Sequence, residues 1–247
     1  METSPIFHPF GTSHLVVIFF TIALPLIFAP LARNREGGGL DWVARGILSS
    51  LLLVNYLGYA FFIWRHGMFR LEHALPFQLC DWTMFMVIVA LLRGDRSSLL
   101  GVAYFWGIGG SLQAILTPNL AVGFPSIRFI SFFIDHCGIV IGIVYLMISR
   151  RFRPTLRSVW RTVIWSEVYF VVTIAINLLT GANYGFLMHK PEAFSILNFL
   201  SDSWPLYIVQ MHLVAYAFFA VLYLPFLIYD LFQKGNSSHE VHKGAQR

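Results

Sequence analysis

Charge is scarce in these 247 residues: Asp, Glu, Lys and Arg together make up 12%, against about a quarter in a soluble domain. With 57% of residues hydrophobic and 17% aromatic, the chain has too little polar surface to cover itself in water, and lipid must be its solvent. Cysteine is scarce too. Cys80 and Cys137 are the two present, which makes no disulfide framework. No Cys-x-x-Cys or His-Glu-x-x-His spacing occurs, so a metal site has no sequence support. Residues 1–13 contain no Lys or Arg, and the first apolar stretch therefore reads as a retained helix rather than a cleaved signal peptide. The net charge of +5 comes from basic residues mostly in loops. They read as topology signals and lipid head-group contacts, not as a nucleic-acid face.

What is there in quantity is apolar length. A transmembrane helix needs roughly 20 apolar residues, and seven stretches qualify: 14–32, 40–64, 75–92, 98–117, 127–148, 157–179 and 205–232. The breaks have physical causes. Arg33 to Gly39 combines charge with glycine, Arg93 to Arg96 is a charged turn, and Pro118 disfavours helical geometry at Thr117. The expectation is an all-α polytopic bundle of seven transmembrane helices. Residues 1–232 form a single membrane domain and 233–247 a polar cytoplasmic tail. With the N-terminus outside, thirteen of the 17 Lys and Arg residues fall on or near the inner side, the bias expected of cytoplasmic loops. A bacterial plasma membrane is the expected location.

This topology gathers the costly polar residues in the outer half. Cys80 lies just inside span 3 and His136 just inside span 5. Gln113 and Asn119 close span 4, Gln210 and His212 open span 7, and Asn183, Tyr184, His189, Lys190 and Asp202 sit in the loop between spans 6 and 7. Polar residues at membrane depth line cavities or pathways. A cysteine with a nearby histidine suggests covalent chemistry on an acyl carbonyl. Each residue also has a plainer reading. A lone membrane cysteine is usually a small packing residue. Against that, Pro76 fits a first helical turn, which puts Cys80 near a positive helix end, and Gln78 and Asp81 flank it with hydrogen-bonding groups. His136 alone reads as a structural histidine, with Asp135 either orienting it or facing elsewhere. Cys137 is the rival nucleophile, without polar flanks. Glu167, mid-span in helix 6, is either functional or a bridging acid. Gly107, Gly109 and Gly110 read as a close-packing face.

The motifs His73-Ala-Leu-Pro-Phe-Gln-Leu-Cys80-Asp81-Trp82, Tyr104-Phe-Trp-Gly-Ile-Gly-Gly-Ser-Leu-Gln113, Thr117-Pro-Asn119, Phe124-Pro-Ser-Ile-Arg128, Asp135-His136 and Asn183-Tyr184-Gly-Phe186 resemble those of YwaF-like bacterial integral membrane proteins and the animal transmembrane protein 164 family. The resemblance covers about residues 40–230. It implies a cysteine-centred acyltransferase that moves an acyl chain from phosphatidylcholine to lyso ether phospholipids, with Cys80 matching the nucleophile and His136 its partner.

The expected function is therefore a membrane-embedded transacylase working through a Cys80 thioester with His136 as base. Its partners would be membrane phospholipids and lysophospholipids, and it would need no cofactor, no coenzyme A and no nucleic acid. Gln78, Asp81, Gln113, Asn119, Arg128, Asp135, Asn183, Tyr184 and His212 are the supporting residues for the oxyanion or the substrate. The rival is a transporter or lipid-binding protein that uses the same polar residues without covalent chemistry. A retinal Schiff base is excluded, because residues 205–232 contain no Lys.

Overall fold

A computed structural model describes residues 5–33, 37–94, 98–191 and 195–244, with side chains up to residue 233. Every long element is a helix: α1 Thr12–Arg33, α2 Gly39–Arg65, α3 Leu79–Arg93, α4 Ser98–Leu116, α5 Ile127–Ser149, α6 Leu156–Thr180 and α7 Trp204–Gly244. Six of them, all but α3, are long and apolar enough to span a bilayer. Residues 34–36 and 95–97 of the two expected charged turns, and residues 245–247 of the tail, lie outside the described residues.

Helix α3 departs from expectation in a way that shapes the site. It has 15 residues, about 22 Å at 1.5 Å per residue, short of a hydrocarbon core of about 30 Å. Pro76 lies before the helix rather than in its first turn. Gln78 is the N-cap residue, and its backbone N–H donates to Asp81 Oδ2 at 2.9 Å. Cys80 is consequently the second helical residue. The preceding residues are extended and held by side chains: Tyr169 Oη donates to Phe77 O, Trp82 Nε1 to Pro76 O, and the Tyr184 hydroxyl accepts from Leu75 N while donating to Leu71 O. Gly94 ends α3 at φ 63°, a conformation that costs glycine nothing. At the other end of the chain, α7 runs on to Gly244, because no Pro interrupts residues 226–244.

The three helices α3, α4 and α5 form the centre. In α4 and α5, 56% and 61% of the apolar window is buried, against 6% in α7. Small residues let α5 close on α2, α3 and α4. A Cβ on Gly138 would stand 2.6 Å from Leu52 Cδ2, and one on Gly142 2.7 Å from Val87 Cγ1. Gly107 presses on Ile143 in the same way, whereas Gly109 and Gly110 meet only ordinary contacts. The expected close-packing face of α4 therefore reduces to Gly107, which opens a π-helical turn at Gly107–Ser111, a feature frequent at functional sites.

One end of the bundle carries a buried ion cluster. Asp41, fully buried, accepts from Arg45 Nε at 3.1 Å, from Tyr145 Oη at 2.8 Å and from Arg150. Arg150 Nε also donates to Gly94 O at 2.7 Å, and Arg45 donates to Leu91 O. The cluster ties α2 to the far ends of α3 and α5. Arg45 and Arg150 are thus structural partners rather than the head-group contacts expected of basic residues.

Candidate active site

The opposite end holds a cavity of about 970 Å³, at the upper end of the range for ligand pockets. Residues from α2, α4, α5, α6 and α7 line it, as does the start of α3. Cys80 opens onto it from the first turn of α3, where Gln78 O accepts from the Asp81 N–H at 3.1 Å but the Leu79 and Cys80 N–H groups have no intrahelical acceptor. His136 faces it from α5. The Cys80 Sγ, a ring nitrogen of His136 and a carboxylate oxygen of Asp135 all lie within 4.8 Å of one another. An imidazole so close to a thiol is placed to exchange a proton with it.

The histidine's tautomer follows from its neighbours. Nδ1 lies 2.8 Å from Phe132 O, and a carbonyl can only accept, so Nδ1 carries the proton and Nε2 keeps its lone pair. The ring stacks on Phe132 with centroids 4.2 Å apart, which fixes its plane. Asp135 Oδ2 is 3.9 Å from the same Nδ1, too far for a hydrogen bond. Asp135 therefore does not orient His136 directly; Phe132 does. The Asp135 Oδ1 atom is buried with no partner.

The supporting residues divide into those on the cavity wall and those off it. Gln78, Asp81, Gln113, Asn119, Arg128, Asp135 and His212 line the cavity. Asp81 is committed to the Gln78 N–H, and Gln78 Oε1 accepts from Gly185 N at 3.1 Å. His212 Nδ1 donates to Ile208 O, while Nε2 lies 3.5 Å from Glu167 Oε1, which also accepts from Tyr216. His212 and Glu167 thus bridge α7 and α6. Asn183 and Tyr184 lie off the cavity wall. Asn183 Oδ1 accepts from Met188 N and His189 N, folding its own loop, and Tyr184 clamps residues 71–75. Lys190 and Asp202 pair with each other at 2.6 Å in the same loop, and Gln210 Oε1 caps Ser201 N. Cys137 is also elsewhere: it packs in a cluster with Phe7, Ile115, Phe129 and Phe133.

Sequence reasoning missed Tyr56, His73 and Tyr169, all on the wall. Tyr56 and Tyr169 carry no sequence signal that separates them from packing aromatics. His73 opens the motif that contains Cys80 and was legible there.

The model of the TMEM164 family matches residues 9–223. No curated protein and no solved structure matches the chain.

Proposed function

The chain belongs to the TMEM164 family, and from that premise we propose that it is a membrane-embedded cysteine transacylase moving a fatty acyl chain between phospholipids. The observation that carries this reading is the approach of Cys80 and His136 within 4.8 Å on the wall of a cavity otherwise lined mainly by apolar groups.

The chemistry needs no cofactor. His136 Nε2 takes the Cys80 thiol proton as sulfur attacks an ester carbonyl of the donor lipid. The ester C–O bond breaks, the leaving alkoxide takes the proton from the imidazolium, and the acyl group stays on sulfur as a thioester. A lysolipid hydroxyl then gives its proton to the same nitrogen and attacks the thioester carbonyl. The C–S bond breaks and sulfur recovers the proton. The oxyanion of each step has donors within the site: the Leu79 and Cys80 N–H groups in the first turn of α3 and the side-chain amides of Gln113 and Asn119. Neither amide has a hydrogen-bond partner among the described residues.

The same proposal includes the membrane arrangement. Helix α3 counts as a seventh crossing, because the extended residues 75–78 add roughly 13 Å to its length. The Lys and Arg bias puts the cavity end outside and the Asp41 end in the cytoplasm of a bacterial-type plasma membrane.

A transporter or lipid-binding role is supported by the Glu167, His212 and Tyr216 bridge at mid-membrane, but it gives no reason for a thiol to approach an imidazole. Purified protein in liposomes with labelled phosphatidylcholine and unlabelled lysophospholipid separates the two. Label moving to the acceptor supports acyl transfer. No movement with any phospholipid donor leaves the binding reading.

A further inference from the structure

The cavity is graded from end to end. Its rim carries three exposed residues, Asn119 just past the end of α4, Arg128 at the start of α5 and His73 ahead of α3. Its middle carries Cys80 and His136, and deeper in the bundle its wall is Phe105, Trp106 and Phe219. That is the pattern of an amphiphile with a phosphate in its head group. Arg128 is the one Arg or Lys among the described lining residues. Unlike Arg45, Arg150 and Arg153, it has no ion pair or side-chain hydrogen bond among them. The side chains of His73 and Asn119 likewise have no partner there.

Helix geometry aligns this rim with the reacting atoms. Arg128, Ser131, Phe132 and Asp135 recur at i, i+3, i+4 and i+7 on one face of α5, and all four line the cavity. Arg128 stands eight residues, or about 12 Å, above His136. The polar layer of a bilayer leaflet is roughly 5–7 Å thick, so a lipid whose ester rests at Cys80 puts its phosphate between those two levels, within the reach of an arginine. A guanidinium fits a phosphate with paired, charge-assisted hydrogen bonds.

We infer that Arg128, on a rim that also carries His73 and Asn119, is a seat for the lipid phosphate that selects phosphate-bearing lipids over neutral glycerides and sets which ester reaches Cys80. This rests on the acyl-transfer reading for its consequence but not for its test. The test uses full-length Cys80→Ala protein in detergent, so that nothing turns over. Affinity is measured for 1-oleoyl lysophosphatidylcholine and for 1-oleoylglycerol, which share a chain and differ in the phosphate head. The lysophospholipid binds about tenfold or more tightly. Adding Arg128→Ala or Arg128→Gln brings the ratio near one, and Arg128→Lys gives an intermediate value. Inorganic phosphate at millimolar concentration leaves lysolipid binding unchanged if the seat reads a lipid head group; equal competition would reassign it to free phosphate and overturn the inference. An unaltered ratio in both neutral variants also overturns it. If the wild-type chain transfers no acyl group while the binding ratio still depends on Arg128, the transacylase reading fails and the seat stands.

Discussion

Two aspartates in one bundle, Asp41 fully buried and Asp135 half-buried, are treated in opposite ways. Asp41 has both oxygens occupied, Oδ1 by Tyr145 and Oδ2 by Arg45 and Arg150. Asp135 has one oxygen with no partner, and its nearest basic nitrogen is 3.9 Å away on His136. A buried carboxylate left unsatisfied is costly. At the Asp41 end the polar groups answer one another and hold three helices. At the Cys80 end they face an open cavity and remain available to a substrate. The first arrangement makes stability, and the second uses it.

The largest expected effects come from the cavity end and fall on activity alone. Cys80→Ala and Cys80→Ser lower acyl exchange roughly a thousandfold or more, with the helical content and melting temperature retained. His136→Ala costs 10²–10⁴-fold, read in the same liposome assay. At the other end the effect moves to stability. Asp41→Ala leaves two buried guanidinium groups without their counter-ion and costs about 3–5 kcal/mol, seen as a lower denaturation midpoint and a smaller yield of folded protein. A fully stable Asp41→Ala protein would break the contrast between the two ends.

Asp135→Asn sharpens it. Replacing a side chain whose buried oxygen has no partner leaves stability within about 0.5 kcal/mol or raises it. A loss of stability like that of Asp41→Ala would mean that Asp135 is paired in the membrane after all.

The smallest effect is in the loop between α6 and α7. Lys190 beside Asp202 holds that carboxyl below its usual range. A depressed acid contributes fully above the ordinary carboxylate range and loses its contribution as pH falls through the lowered value. The protection factors of the amides of residues 198–202, in which the intrinsic pH dependence of exchange is divided out, therefore fall at acid pH in the native chain and lose that dependence in Asp202→Asn. Because Asp202 is exposed, no change in global unfolding accompanies it.

The bounds of six helices were legible to within a few residues at nearly every end, because apolar length and the charged or proline breaks are written locally. The start of α3 was not. Leu75, Pro76 and Phe77 continue the apolar run, but their geometry is set by Tyr169 and Tyr184 from distant parts of the chain. A local trace existed in Gln78 and Asp81, whose three-residue spacing allows the N-terminal hydrogen bond they make. The apolar span of α7 matches its expected bounds at Trp204–Gln233, and the helix runs on past it to Gly244, since polarity alone does not stop a helix. Within the site, Cys80 and His136 were legible as residues at similar depth. The orienting role of Phe132 was not, because it depends on a main-chain carbonyl that no residue type announces. Asn183 and Tyr184 looked like site residues because they are polar and near the same membrane face, yet their bonds turn inward to their own loop and to residues 71–75.

Intact-protein mass spectrometry tests the covalent step most directly. Native chain incubated with phosphatidylcholine and no acceptor should gain the mass of one acyl group. Fragmentation should place it on Cys80, and hydroxylamine or added lysophospholipid should remove it. The adduct should be missing from Cys80→Ala and present in Cys137→Ala. An acyl group found on Cys137, or transfer of label with no adduct formed at any time point in the native chain, would contradict a Cys80 thioester.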